Sequence, residues 1–202
     1  VEFLADATKP EFNRLIGDRE FFDESGGGVT LSGGEPMLQP KFTIELLKKL
    51  HDSGISTALD TCGYTAWENL EAAVPFTDLF LYDFKHSDSA KHKLYTGSGN
   101  ERIKENLKKL GKTGKRIEIR IPLVPGLNTD EKNLDDTGKF LAEVENICAV
   151  RLLPYHSLAR SKYTAIGIPD TMPDATTPDN AALHKMAQTL ETHRLKTICP
   201  DD

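Results

Sequence analysis

Short β-branched or apolar runs alternate with longer stretches of helical periodicity along most of the chain, and this alternation constrains the fold more than any other feature. The runs predict strands at residues 28–32, 55–61, 78–84, 116–124, 149–155 and 195–199. The periodic stretches predict helices at residues 10–17, 41–52, 100–110, 130–145 and 178–193. Strands that alternate with helices pair in parallel through right-handed crossovers. The sequence therefore predicts an α/β sheet or barrel.

The length of the chain favours an incomplete barrel. A full eight-unit (β/α) barrel takes about 250 residues, roughly 30 for each unit. The 202 residues therefore suit about six units, and the 38% hydrophobic content is enough for a sizeable core. We expect one domain over residues 1–202, a partial (β/α)6-type barrel, in which residues 25–202 form the barrel units. A doubly wound open sheet is the competing architecture.

Charge and composition exclude several classes of protein. The net charge of −6 gives a field that repels polyanions, so nucleic acid is not an expected partner. No apolar run approaches the roughly 20 residues that a bilayer span needs, and the first residues are not a signal peptide, so no membrane partner is expected either. The three cysteines, Cys62, Cys148 and Cys199, are odd in number and far apart, which favours a reducing compartment. We expect a cytoplasmic protein.

Polar side chains stand at the end of five successive predicted strands. They are Glu35, Asp60, Asp83 with Lys85, Arg120, and His156. Active sites of parallel α/β folds lie at the carboxyl ends of the strands, so these groups should meet at one rim. The rim combines three carboxylates with one lysine, one arginine and one histidine. Such a rim would suit a zwitterion that carries an extra positive charge. The phosphate-binding pattern GxxxxGK[ST] is absent, so nucleoside triphosphates are poor candidates.

Each of these residues also has a plain structural explanation. The glycine pair at residues 33–34 could form a turn, and Asp83 and Lys85 could form a structural ion pair. His156 could be a structural histidine whose ring nitrogens are hydrogen-bonded within the protein. A barrel aldolase or hydrolase that uses Lys85 or the carboxylates as acid and base is a further alternative. Only the shared placement at strand ends favours a common site.

Five short motifs occur in order along the chain. They are SGGGVTLSGGEP at residues 25–36, LDTCG at 59–63, YDFK at 82–85, IRIPLVPG at 119–126 and LLPYH at 152–156. Together they resemble the glycyl-radical-enzyme activating enzymes, the pyruvate formate-lyase activating family of the radical SAM superfamily. The GGE motif alone is weak, but five motifs in the same order are specific. The resemblance implies a radical SAM type of partial barrel.

The resemblance also implies S-adenosylmethionine as cofactor, and it transfers a set of cofactor-binding residues. They are Gly33, Gly34, Glu35, Asp60, Thr61, Asp83, Lys85, Arg120, Pro122, Leu153 and His156. The GGE segment would hold the methionine amino group, and Lys85 would pair with the methionine carboxylate. Asp60, Thr61 and Asp83 would surround the methionine moiety and form a monovalent cation site.

The remaining four residues of that set would contact the nucleoside half of the cofactor. By the resemblance, Arg120 and His156 would touch the ribose or the methionine portion. Pro122 and Leu153 would border the adenine. Because the eleven residues lie on five successive predicted strands and the loops after them, they predict one continuous binding site.

The chemistry that the family implies needs a [4Fe–4S] cluster and a protein partner. The cluster cleaves S-adenosylmethionine reductively to a 5′-deoxyadenosyl radical, which takes a hydrogen atom from the glycine loop of a glycyl-radical enzyme such as pyruvate formate-lyase. An electron donor such as flavodoxin or ferredoxin is implied as well. Three cysteines in a C-x3-C-x2-C loop hold the cluster in this family.

Cys62, Cys148 and Cys199 do not have that spacing. We expect that the chain is truncated before its first strand and cluster loop, that residues 1–24 are a linker and helix from the missing portion, and that this fragment is inactive alone. A non-redox module that binds S-adenosylmethionine or docks on a partner is the alternative.

Overall fold

The computed structural model describes residues 2–155, 167 and 175–200, with side chains from residue 8 onward. The described α-helices are α1 (Glu2–Ile16), α2 (Arg19–Ser25), α3 (Pro40–Asp52), α4 (Trp67–Ala73), α5 (Ser89–Thr96), α6 (Glu101–Gly111), α7 (Glu131–Ala142) and α8 (Asn180–Glu191). The strands are β1 (Gly28–Leu31), β2 (Ser56–Thr61), β3 (Leu79–Asp83), β4 (Arg116–Leu123), β5 (Ile147–Pro154) and β6 (Thr197–Ile198). Two 3-10 helices cover Pro36–Leu38 and Val74–Phe76.

The six strands form one parallel sheet whose spatial order equals their order in the sequence. A doubly wound sheet reverses its strand order at a switch point, whereas a barrel adds each strand beside the one before it. No reversal occurs among the described strands. The expected partial barrel is therefore confirmed, and the doubly wound alternative is wrong.

The two faces of the sheet differ in character. In β4, Ile117, Ile119, Ile121 and Leu123 are buried, while the residues between them are half-buried or exposed. The buried set joins a single apolar cluster with side chains from α3, α4, α6, α7 and α8. These five helices therefore cover one face of the sheet, and the other face carries the polar side chains of the strands.

A second apolar cluster lies at the β1 end of the sheet. It contains Val29, Leu46, Leu50 and Ile55. Apolar residues of α1 and α2, Phe12, Leu15, Ile16 and Phe22, pack against it. The extent of the domain and the role of residues 1–24 stay predictions. None of the described helices is both long enough and apolar enough to cross a membrane.

The sequence pattern located most elements to within a few residues. The predicted helices 41–52, 100–110, 130–145 and 178–193 correspond to α3, α6, α7 and α8. The helix predicted at 10–17 is longer in the structure, since α1 begins at Glu2. Three short helices, α2, α4 and α5, were not predicted. They have seven or eight residues and bury at most two side chains each, so they lack a long apolar stripe.

Candidate functional site

A cavity of about 320 Å³ lies at the carboxyl ends of the first four strands. Its wall is formed by the loops after β1, β2 and β3 and by one side chain of β4. The lining residues are Ser32, Gly33, Gly34, Glu35, Asp60, Thr61, Cys62, Asp83, Lys85 and Arg120. The structure thus brings together eight of the eleven predicted cofactor residues. Ser32 and Cys62 were not among them, although each directly adjoins a predicted residue in its motif.

The Glu35 carboxylate ties the loop after β1 to the end of β2. Its Oε1 accepts hydrogen bonds from the backbone N–H of Met37 at 3.0 Å and from the Thr61 hydroxyl at 2.7 Å. Its Oε2 accepts from the backbone N–H of Cys62 at 2.8 Å. The Cys62 side chain is hydrogen-bonded to this carboxylate as well, so the protein itself uses most of the roughly four acceptor positions of Glu35. The sequence motif alone did not show this structural role of Glu35.

Two carboxylates and two cations form a chain of ion pairs across three strands. Arg120 Nη1 lies 2.7 Å from Asp60 Oδ2, and Ser32 donates its hydroxyl to the same oxygen at 2.8 Å. Arg120 Nε lies 4.0 Å from Asp83 Oδ1, and Lys85 Nζ lies 2.9 Å from Asp83 Oδ2. The parallel register explains this arrangement, because Asp83 and Arg120 are directly paired residues of β3 and β4.

The charges of the site do not cancel. Glu35, Asp60 and Asp83 supply three negative charges, and Lys85 and Arg120 supply two positive ones. The described lining therefore carries one net negative charge. Since these side chains are only partly exposed, their charges act on a ligand more strongly than charges in open water do.

The loop after β2 is held by buried groups of two other elements. The Asn106 amide of α6 donates to the carbonyls of Gly63 at 2.8 Å and Thr65 at 2.9 Å. The fully buried Tyr82 lies directly beneath Gly63, which has a φ of +70°, and donates its hydroxyl to the carbonyl of Ile103. This loop therefore has little freedom, and it fixes Cys62 and Thr61 at the cavity wall.

Asn128 holds the loops after β3 and β4 together. Its buried amide nitrogen donates to the carbonyls of Lys85 at 2.9 Å and Pro122 at 2.6 Å, and its Oδ1 accepts from the backbone N–H of Val124 at 2.7 Å. The residue thereby fixes the backbone that carries Lys85. Sequence reasoning missed both Asn106 and Asn128. An asparagine after a strand or on a helix gives no pattern that separates it from ordinary turn or surface residues.

The Cys62 side chain is a protonated thiol at neutral pH. Burial raises its pKa from 9.0 to about 11, and the neighbouring Glu35 carboxylate adds to the effect. The thiolate is the form that attacks electrophiles and binds iron. Cys62 therefore lines the cavity as a neutral side chain.

Three predicted residues lie outside this cavity or outside the described part of the chain. Pro122 and Leu153 are paired neighbours on β4 and β5 and do not line it. Their predicted contact with adenine stays a prediction. His156 lies outside the described residues.

The cysteines do not fit an iron–sulfur cluster. Cys62 follows β2, Cys148 lies on β5 and Cys199 follows β6, and the three are not joined in disulfides. Within the described ranges, no group of three or more His, Cys, Asp or Glu side chains is placed to hold a metal ion. No step through a cluster is therefore assigned to these cysteines, and the monovalent cation site stays a prediction.

Comparisons with known proteins agree with this fold. The model of the radical SAM superfamily matches residues 8–137. The trans-4-hydroxy-L-proline dehydratase activating enzyme of Clostridioides difficile is 47% identical over 74% of this chain and 50% of its own length. The pyruvate formate-lyase-activating enzyme of Clostridium pasteurianum is 36% identical over 88% of this chain and 74% of its own length.

Solved structures give the same result. A domain of pyruvate-formate lyase-activating enzyme from Bacteroides vulgatus ATCC 8482 has a TM-score of 0.73 and 32% identity, and the match covers 86% of this chain and 98% of that one. Streptococcus suis SuiB bound to S-adenosylmethionine shares the fold at 16% identity, with a TM-score of 0.64 over 85% of this chain and 37% of that chain.

The partial barrel, the strand-end cavity and the family match define this chain as a member of the radical SAM superfamily. Members of this superfamily use S-adenosylmethionine and a [4Fe–4S] cluster. Within it, the chain belongs to the family of the glycyl-radical-enzyme activating enzymes. It spans about half the length of the first four curated relatives that it matches.

Proposed function

We propose that this chain is the S-adenosylmethionine-binding part of an activating enzyme for a glycyl-radical enzyme. Such an enzyme is a radical SAM oxidoreductase that removes a hydrogen atom from a glycine of its partner protein. Relatives that match this chain are named as activating enzymes of a dehydratase and of pyruvate formate-lyase, which supports the proposal.

One observation carries the proposal, namely the charge balance of the cavity. S-adenosylmethionine bears a positive sulfonium, a positive ammonium and a negative carboxylate, and so has one net positive charge. The described lining has one net negative charge and presents both signs, with three carboxylates and two cations. A zwitterion with a surplus positive charge is the complement of this lining, whereas a phosphate is not.

Each charged group of the cofactor would find a side chain of opposite charge in this cavity. Lys85 supplies the cation for the methionine carboxylate, because its ammonium is a third exposed and has only Asp83 as an ion-pair partner among the described residues. The Asp83 and Glu35 carboxylates would supply the negative charge opposite the ammonium and sulfonium. Arg120 forms an ion pair with Asp60, so its role toward the cofactor is to hold that carboxylate in place.

The site has the volume for a large part of such a ligand. Ligand pockets usually measure about 300 to 1,000 Å³, and this cavity of about 320 Å³ lies at the lower end of that range. It accommodates the amino-acid half of the cofactor. The nucleoside half would extend over Pro122 and Leu153, which are neighbours on the same polar face of the sheet.

Calorimetric titration with S-adenosylmethionine tests the binding step directly. We expect Asp83→Asn and Lys85→Met each to weaken binding by about 10- to 100-fold, since a charge-assisted contact is typically worth about 1.5 to 3 kcal/mol. Lys112→Met is the matched control, because Lys112 is an exposed lysine at the far end of α6. Equal affinity in all four proteins would contradict the assignment of the cavity.

A second function is favoured by one specific observation, the failure of the three cysteines to form a cluster site. A non-redox module would bind S-adenosylmethionine without cleaving it. The two functions separate in an assay of the protein expressed anaerobically from its complete reading frame. Release of 5′-deoxyadenosine under reducing conditions supports the activating enzyme, and binding without release supports the module.

A further inference from the structure

Two further hollows extend the cofactor cavity outward to the surface of α5. An inner cavity of about 160 Å³ shares Cys62, Asp83 and Lys85 with the cofactor cavity. An outer groove shares Tyr64 and Ser98 with the inner cavity. The three hollows therefore lie next to one another, in a row from the surface of α5 to the candidate cofactor site, and we call this row the path.

The inner cavity is suited to one apolar side chain. Tyr64 and Ile103 line it together with Thr96 and Ser98, and its volume is close to the roughly 150 Å³ of an apolar cavity that binds benzene. His92, only 4% exposed, also lines it. The side-chain hydrogen bonds of His92 run through Nδ1, which lies 2.6 Å from the carbonyl of Ser98 and 3.0 Å from the Thr96 hydroxyl. In the neutral ring this arrangement makes Nε2 an acceptor.

The outer groove is lined mainly by small residues. Ser89 and Ala90 of α5 form one part of it, and the segment 97–99, Gly-Ser-Gly, forms another. A Cβ atom added at Gly97 would meet nothing within 4 Å, so the groove is open beside this residue. Small side chains leave room for the main chain of an extended polypeptide to lie close to the surface.

Exposed apolar side chains are concentrated around this path. Five large hydrophobic residues are exposed in the described part of the chain, and three of them are Tyr64, Leu94 and Tyr95. Tyr64, 44% exposed, lines both the inner cavity and the groove, while Leu94 and Tyr95 belong to α5. Exposed apolar residues that cluster beside a site mark a surface for a partner.

We propose that this path is the track on which the partner polypeptide enters the site, and that the inner cavity takes an apolar side chain next to the reacting glycine. This inference rests on the proposed function, since it supplies the substrate subsite of that function. The occupant is an extended protein segment, because a small molecule would need neither the groove nor its exposed rim. The proposal depends on the placement of the three hollows side by side, since each shares lining residues with the next.

Peptide binding measured by fluorescence anisotropy tests the track. The probes are fluorescein-labelled alanine peptides with a central glycine, and they carry leucine before the glycine, leucine after it, or no leucine. In the presence of S-adenosylmethionine we expect one of the leucine peptides to bind about tenfold more tightly than the alanine peptide, because its side chain is buried in the inner cavity.

Ser98→Phe is the blocking variant, since it places a ring of about the volume of the inner cavity at its wall. The substitution keeps the backbone carbonyl of residue 98, which is hydrogen-bonded to His92 Nδ1. We expect it to remove the preference for leucine while the affinity for S-adenosylmethionine stays the same. Ala181→Phe, at an exposed position of α8, is the matched control and should keep the preference.

The outcomes separate the track from the proposed function. No leucine preference in the unchanged protein, or a preference that survives in Ser98→Phe, overturns the track. If circular dichroism shows that Ser98→Phe does not fold, Tyr64→Ala replaces it, because the loss of that exposed wall should also remove the preference. Failure of S-adenosylmethionine to bind, with the leucine preference present, would instead overturn the proposed function and leave a peptide-binding track.

Discussion

Replacing Gly63 by alanine should be the most damaging single-methyl substitution near the site. Gly63 has a φ of +70°, and an added Cβ would lie 1.8 Å from the hydroxyl oxygen of Tyr82 and 2.2 Å from its Cζ. Tyr82 cannot move aside easily, because it is fully buried and its hydroxyl donates to the carbonyl of Ile103 at 2.8 Å.

The expected loss follows from three contributions. The left-handed backbone costs a non-glycine residue about 1 to 2 kcal/mol. Overpacking against a buried ring costs about 1 to 3 kcal/mol. Displacement of the Tyr82 hydroxyl from Ile103 costs about 1 kcal/mol for the lost hydrogen bond. Together, Gly63→Ala should lower the free energy of unfolding by about 3 to 6 kcal/mol, a large share of the roughly 5 to 15 kcal/mol of a typical domain.

Urea unfolding followed by the fluorescence of Trp67 measures this loss, because Trp67 is the only tryptophan and packs against the main core. Gly97→Ala is the control. Gly97 has a φ of +86°, but an added Cβ would meet no atom within 4 Å, so only the backbone cost of about 1 to 2 kcal/mol applies. If both variants lose the same stability, the close approach of Tyr82 is not what requires glycine at residue 63.

Three further measurements probe the site. At pH 8, iodoacetamide should alkylate Cys62 about 100-fold more slowly than a thiol of pKa 9.0. The alkylation rate should rise with pH until about pH 11. Alkylation at the rate of a free thiol would contradict a buried, protonated side chain. Asn128→Ala should cost about 3 kcal/mol in urea unfolding, because three hydrogen bonds of a buried amide are lost; a change below 1 kcal/mol would mean that water replaces them. A double-mutant cycle of Asp60→Ala and Arg120→Ala should give a coupling of about 1 to 3 kcal/mol, between the values for exposed and buried pairs, and strict additivity would show that the pair contributes nothing.

The polar rim could be predicted because it depends on two simple regularities. Parallel strands place their carboxyl ends at one edge, and residues two apart in a strand share a face. Asp83 ends an apolar run of the sequence and Arg120 lies within one, and their direct pairing in the sheet follows from the parallel register. The ion pair of Asp83 with Lys85 could be considered from the sequence, because the two residues are close in the chain. The ion pair of Asp60 with Arg120 could not be predicted, since neither strand alone determines the register between strands.

Other parts of the site depend on contacts between distant segments. Asn106 holds the loop at Gly63 from 43 residues away, and Asn128 holds the carbonyl of Lys85 from the same sequence separation. The short helix α5 buries only His92, so its sequence has no apolar stripe that would indicate a helix. Both the buried amides and the peptide track become visible only once the chain is folded.

The sheet ends in two very short strands at its unpaired edges. Among the described residues, β1 pairs only with β2 and β6 only with β5, and these edge strands have four and two residues. Strands this short offer few free main-chain groups for another protein to extend the sheet. We therefore expect a partner segment to be recognised by loops and side chains, so that sequence changes in those loops alter partner choice while the hydrogen-bonded scaffold stays intact.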